Sequence, residues 1–152
     1  MIQHPADRTG YVTFSVAGEL LGLDVLLVQE VLVPQEIARV PLAPPEVAGF
    51  LNLRGQIVTA VDLRARLSLP PRPAGEGFMN VVVRDAGELF SLLADSVGDV
   101  VEVETVRLEP TPATLDERWK GCCDGVVRLP RGLLAVLDVE RLLRLESPTP
   151  VR

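Results

Sequence analysis

The chain has 152 residues, 47% of them hydrophobic but only 4% aromatic, with 13 Pro, 12 Gly and a net charge of −6 at pH 7. That length buries a real core in one domain or two small ones, and apolar mass broken at short intervals by turn formers favours many short strands over long helices. The acidic balance excludes nucleic acid, which needs a basic face; direct membrane insertion is excluded as well, because no stretch reaches the roughly 18 apolar residues of a span.

Residues 1–10 read as a flexible leader. They contain the only His, His4, solvated in such a setting, and no apolar run of signal-peptide length, which points to the cytoplasm. From Tyr11 to Val16 the chain alternates Val12, Phe14 and Val16 against Tyr11, Thr13 and Ser15, the pattern of a half-buried strand. Ala17-Gly18-Glu19 turns it back through Leu20 to Leu23, so the first unit is a hairpin, with Gly22 marking a bulge or a close crossing. Asp24 to Val33 fits a strand or a short helix; β-branched content and the stop at Pro34 favour a strand over Val28 to Val33. Glu30 interrupts that apolar edge, either as a carboxylate facing water or as part of a contact. Ile37 to Val40 is a short extended piece, and Ala43 to Gly49 can open a one- to two-turn helix.

The centre of the chain is Val47 to Leu67. Its strand, Gln56 to Val61, follows Asn52-Leu53-Arg54-Gly55, and Asp62 stands where the apolar run stops, placed to cap a short helix over Leu63 to Leu67. Arg54 cannot shed its proton to suit an apolar neighbourhood. It either braces a barrel rim by pairing with Asp62, Glu46 or Glu30, or anchors an interface with another protein. Gly55 beside it calls for positive φ or close approach of another chain.

Pro70 to Gly77 is the most loop-like segment and divides the chain into 11–77 and 78–146, with 147–152 as tail. Phe78 to Val83 and Glu88 to Ala94 form a second hairpin about Asp85-Ala86-Gly87, and Val97 to Val103 alternates with Glu102 and Glu104 outward. Thr105 to Asp116 is a loop. Trp119 to Leu129 and Gly132 to Leu137 read as a strand pair, followed by Asp138 capping a short helix from Val139 to Leu145. Each half therefore ends as strand, Asp and short helix, and two small all-β barrels of related build account for it; the hairpin 11–23 can be lent to the second barrel.

No catalytic group emerges. A His in a leader is no base for a Ser or Cys nucleophile, the carboxylates are scattered, and the Gly18 to Gly22 stretch lacks phosphate-loop spacing. Two cysteines and one His do not make a zinc site. Neither metal nor cofactor is expected, and Cys122-Cys123 is read as small apolar filler, the alternative being a redox pair.

Tyr11-Val-Thr-Phe14, Gly22-Leu-Asp24, Val28-Gln-Glu-Val31, Ile37 to Pro41, Val47 to Gly49 and above all Asn52-Leu-Arg-Gly55 through Val61-Asp-Leu-Arg64 resemble the CheW family of chemotaxis coupling proteins, over about Tyr11 to Leu143. The resemblance implies two five-stranded SH3-like barrels with one or two short helices. It also implies a non-enzymatic, cytoplasmic adaptor, recruited to receptor arrays, that joins the cytoplasmic tips of methyl-accepting chemoreceptors to the regulatory domain of a CheA-type histidine kinase. By position, Val28, Glu30, Gly49 and Arg54 fall where the family contacts partners, with Asn52, Leu53 and Gly55 on the same surface and Arg107 near a second contact used in ring formation. The chain departs from the family after Arg107, where Pro110 to Pro112 stand in place of an expected aromatic. The other readings are a CheW-like adaptor of an array governing gliding, pili or development, and a small-molecule or redox sensor.

Overall fold

Two-residue turns set much of the architecture. Ala17-Gly18, Arg54-Gly55 and Ala86-Gly87 each place both residues at positive φ, the type I′ geometry whose twist matches that of the flanking strands. The computed structural model describes residues 7–113, 115 and 117–144, so His4 and the tail 147–152 lie outside the described residues. Ten strands follow one another: β1 (Arg8–Val16), β2 (Glu19–Asp24), β3 (Val28–Leu32), β4 (Val47–Leu53), β5 (Gln56–Asp62), β6 (Met79–Asp85), β7 (Glu88–Ala94), β8 (Ser96–Glu104), β9 (Cys123–Leu129) and β10 (Gly132–Leu137). Three short helices accompany them: α1 (Leu63–Arg66), α2 (Glu117–Cys122) and α3 (Val139–Leu142).

The strands form two five-stranded sheets, ordered β8-β1-β2-β10-β9 and β3-β6-β7-β5-β4, the two small barrels of an all-β fold. Their plans match. Each is an edge strand, a hairpin, a parallel junction (β2 with β10, β5 with β7) and a second hairpin. The sheets do not divide at residue 77, however. The hairpin β1–β2 lies with β8, β9 and β10, while β6 and β7 lie with β3, β4 and β5. A parallel junction cannot be closed by a tight turn, so each sheet takes one hairpin from each half of the sequence.

The repeated Asp acts as expected. Asp62 Oδ1 accepts from the Arg64 N–H at 3.0 Å and starts α1, and Asp138 Oδ1 accepts from the Arg141 N–H at 3.2 Å and starts α3. Arg66 then joins the two repeats, its Nε and Nη2 donating to the carbonyls of Leu142 (2.8 Å) and Arg141 (3.1 Å) at the end of α3.

The largest core cluster is shared between the sheets: Phe14, Leu21 and Leu23 of one pack with Val61, Val81 and Leu92 of the other, beside Leu63 and Leu142 from the helices. Leu51, Leu53, Val58, Ala60, Val82 and Leu93 fill the second sheet separately, and Tyr11, Val103, Val127, Leu134 and Val136 fill the first.

Three local expectations are revised and one ambiguity is settled. Strand β1 is buried on both faces rather than one, because it serves the shared core and its own; Thr13 is buried and donates to the Asp99 carbonyl at 2.7 Å. Before β3 the ambiguous stretch resolves as a single 3-10 turn, Val25–Leu27, capped by Asp24, and then the strand. The helix expected over residues 43–49 is absent. Val47 to Gly49 instead pairs with β5 at Val61 and Ala60, and Ala38 bonds with Phe50 from the other side. Finally, residues 119–122 are not strand but the end of α2, which sets Trp119 and Cys122 one turn apart on a buried face.

Candidate partner-binding site

The site is built on the β4–β5 hairpin. Leu53 pairs with Gln56, leaving Arg54-Gly55 as the whole turn. The Asn52 side-chain carbonyl accepts from the Gly55 N–H at 2.8 Å, which fixes the turn from within. Gly55 sits at φ +88, and Arg54 holds a left-handed conformation that few residues other than Gly adopt readily. The consequence is that the guanidinium is thrust off the hairpin tip, with its side chain 69% exposed.

It is received by Glu30. Both terminal nitrogens of Arg54 donate to the Glu30 carboxylate, one of them at 3.3 Å. That hydrogen bond, with the charge behind it, raises the guanidinium pKa further above its ordinary value. Of the three carboxylates that sequence offered for Arg54, Glu30 is the one chosen. Asp62 is committed to capping α1.

Around this pair the surface is mixed. Phe50 and Asn52 face outward from β4, opposite Thr59 and Ile57 of β5, and Ile57 is 66% exposed. On β3, Val31 and Gln29 are exposed while Val28, Glu30 and Leu32 are half-buried. Val28 packs against the shared core and Leu53 belongs to the core of the second sheet. Glu30 therefore stands among the valines and leucine of β3 and across from a hairpin face that mixes Phe50 and Ile57 with Asn52 and Thr59, the composition of a contact surface with charge to set register.

Gly49 is buried at a bulge in β4. A Cβ there would come within 2.2 Å of the Ala38 carbonyl oxygen, and φ is +148, so its immediate task is to let the segment carrying Ala38 lie against β4. Arg107 is separate. It closes a 3-10 turn, Thr105–Arg107, after β8 of the other sheet, is exposed, and donates to the Arg128 carbonyl at 3.5 Å. No contact among the described residues links it to the Arg54 group.

Sequence reasoning missed the node that holds the two sheets together. Asp95, between β7 and β8, accepts from Arg64 Nε (3.2 Å) and Nη2 (2.5 Å), from Arg72 Nη2 (3.3 Å) and from the Ala17 N–H (2.7 Å). Arg64 also donates to the carbonyls of Pro70 and Pro71, pinning the long loop. Its only sequence signal is an Arg on the helix that follows the capping Asp62, a position that otherwise suggests solvent.

Among the described residues no group of His, Cys, Asp or Glu could hold a metal ion, and no helix is long and apolar enough to cross a membrane. The CheW-like domain family model matches residues 10–147.

The chain belongs to the CheW-like domain family.

It is 26% identical over 137 residues to the chemotaxis protein CheW of Klebsiella aerogenes, spanning 90% of this chain and 82% of that protein. The chemotaxis protein CheW of Bacillus subtilis is 26% identical over 136 residues, with 90% and 87% covered. The crystal structure of the scaffolding protein TtCheW from Thermoanaerobacter tengcongensis superposes with a TM-score of 0.81 at 27% identity, over 91% of this chain and 94% of that one. The CheW-like chain is accordingly a non-catalytic adaptor built on the β fold described above.

Proposed function

We propose that this protein couples the cytoplasmic tips of methyl-accepting chemoreceptors to the regulatory domain of a CheA-type histidine kinase, working in the cytoplasm within arrays at the membrane. The observation that carries the reading is the Arg54–Glu30 pair at the lip of the second sheet, with Arg54 largely exposed and Val31, Phe50 and Ile57 exposed on the strands that carry the pair. A charged pair in such surroundings gives a partner apolar area for affinity and charge for alignment. The likeness to chemotaxis proteins and to a scaffolding protein supports the same reading. Moderate contacts of this kind gain strength when repeated in an array.

In this reading Arg54, Asn52 and Gly55 present the turn, Glu30 and Val28 present β3, Leu53 and Gly49 hold the two in place, and Arg107 serves a second contact. The test is titration calorimetry with the kinase regulatory domain and, separately, with a receptor tip fragment. Arg54→Glu is expected to weaken one of them at least ~10-fold with the fold intact. Unchanged affinity for both would remove Arg54 from the interface.

A further inference from the structure

The segment leading into β4 folds back along that strand, held by two backbone bonds between Ala38 and Phe50 (2.7 and 2.9 Å). Beneath it lies a cavity of about 660 Å³, whose apolar lining includes Ile37, Ala48, Phe78 and Leu93 and whose polar lining includes Arg39, Asp62 and Arg72. Its size is that of a small-ligand site. None of the residues assigned above to partner contact lines it.

Charge is unevenly matched here. Asp95 meets Arg64 through two close bonds and gives Arg72 a third at 3.3 Å. One carboxylate thus serves two guanidiniums, and since Glu76 and Asp62 add their negative charge at Arg64, Arg72 is the less closely matched of the two. The Arg72 side chain is only 14% exposed and lies over the Phe78 ring, 5.4 Å from its centre. Its Nε–H is buried with no acceptor, and a buried donor left unmatched carries a desolvation cost that an arriving acceptor would relieve. Arg39 has no hydrogen bond or ion pair among the described residues, so a second cation on the wall is unengaged. Asp62 is the one opposing charge in the lining, and its Oδ1 is already committed to the N–H groups of α1.

We infer that this cavity binds a small amphipathic carboxylate. The anion lies against Arg72 and Arg39, whose N–H groups form charge-assisted bonds to it, and the apolar body rests among Ile37, Ala48, Phe78 and Leu93. The inference is independent of the coupling role.

Phenylacetate serves as the probe and its methyl ester as the uncharged control, each titrated into the isotope-labelled full chain and followed by NMR. Saturable shifts are expected at the Arg72 Nε–H and at the Ala48 and Leu93 methyls. Binding should be at least ~10-fold weaker for the ester and for the acid with Arg72→Met, which removes the guanidinium but keeps an unbranched side chain. Arg39→Gln, at an exposed position with no bond to lose, should weaken binding at least ~3-fold and carries the test if Arg72→Met disturbs the fold. No saturable shift at these sites, or equal affinity for acid and ester, would overturn the inference. It would fall equally if Arg72→Met weakened binding to the kinase regulatory domain while phenylacetate failed to bind, since the cavity would then receive a partner's acidic side chain.

Discussion

Arg54 and Glu30 tie together the two outer strands of one sheet. Glu30 lies on β3 and Arg54 at the tip of the β4–β5 hairpin, and β3 and β4 are the outermost strands of the order β3-β6-β7-β5-β4. The pair is a clasp at the open seam, yet Arg54 is largely in water, where such a pair is screened and adds little to stability. Arg54→Ala and Glu30→Ala are therefore each expected to leave the melting temperature within about 2 °C of the parent. A charge exchange separates the two roles: Arg54→Glu with Glu30→Arg should restore the clasp but not partner binding. Recovery of full affinity in the exchanged protein would mean that no partner touches either residue.

Gly49 tests whether a residue at a contact surface acts by touching or by making room. Its added Cβ would fall 2.2 Å from the Ala38 oxygen at a φ of +148. Both faults are in the backbone and neither is cured by a side-chain rotation. Gly49→Ala is expected to destabilise the chain by at least ~2 kcal/mol in urea unfolding, with faster hydrogen exchange at the Ala38 and Phe50 amides. Parent-like stability combined with lost partner binding would instead make Gly49 a contact residue.

Asp95 gives the fold an acid limit. Burial works to raise the pKa of its carboxyl, but bonds from Arg64 and the Ala17 N–H, with the charges of Arg64 and Arg72, outweigh burial and hold it below the ordinary 3.8. A carboxyl depressed by folding contributes stability that is present above 3.8 and is lost as pH falls through the lower folded value. Melting curves should thus fall steeply below about pH 4 in the parent. Asp95→Asn leaves Arg64 buried without its counter-charge and should cost about 3 kcal/mol at neutral pH, the low end for a broken buried pair because the Asp95 side chain is 22% exposed. Its acid slope should be shallower, with Asp138, whose pKa is also lowered, accounting for part of what remains. An unchanged slope would shift the acid sensitivity elsewhere.

Local chemistry was the legible part of this fold. Alternation placed most strands, X-Gly pairs placed the turns, and two capping aspartates exposed the repeat, because each is decided within a few residues. Sheet membership was legible only for the hairpin 11–23, which could be lent to the second barrel; the rest was not, since the parallel junctions of β2 with β10 and β5 with β7 join segments from opposite halves of the chain. The helix at Trp119 was hidden for a related reason: two buried residues three apart suit a strand or a short helix equally until tertiary packing selects one. At the candidate site, Glu30 was one of three carboxylates offered to Arg54, and the choice among them depends on the meeting of two outer strands; Arg64 stood in a legible motif, but nothing local pointed it to Asp95.

Cys122 and Cys123 discriminate structure from redox chemistry. Both are buried and neither is in a disulfide, burial raises the Cys122 pKa despite the nearby charges of Arg66 and Arg141, and the Cys123 thiol donates to the Gly125 carbonyl at 3.2 Å. A thiol kept protonated and out of solvent is a poor nucleophile. Thiol-specific reagents at pH 8 should accordingly modify the two residues only as fast as the chain opens, with complete reaction after denaturation. Cys122→Ser, Cys123→Ser together should lower stability, since a hydroxyl is smaller and costs more to take out of water than the buried thiol it replaces, while partner affinity stays at the parent value. Rapid labelling of the native chain, or partner binding that changes with thiol oxidation, would contradict the role of these residues as packing groups and return them to function.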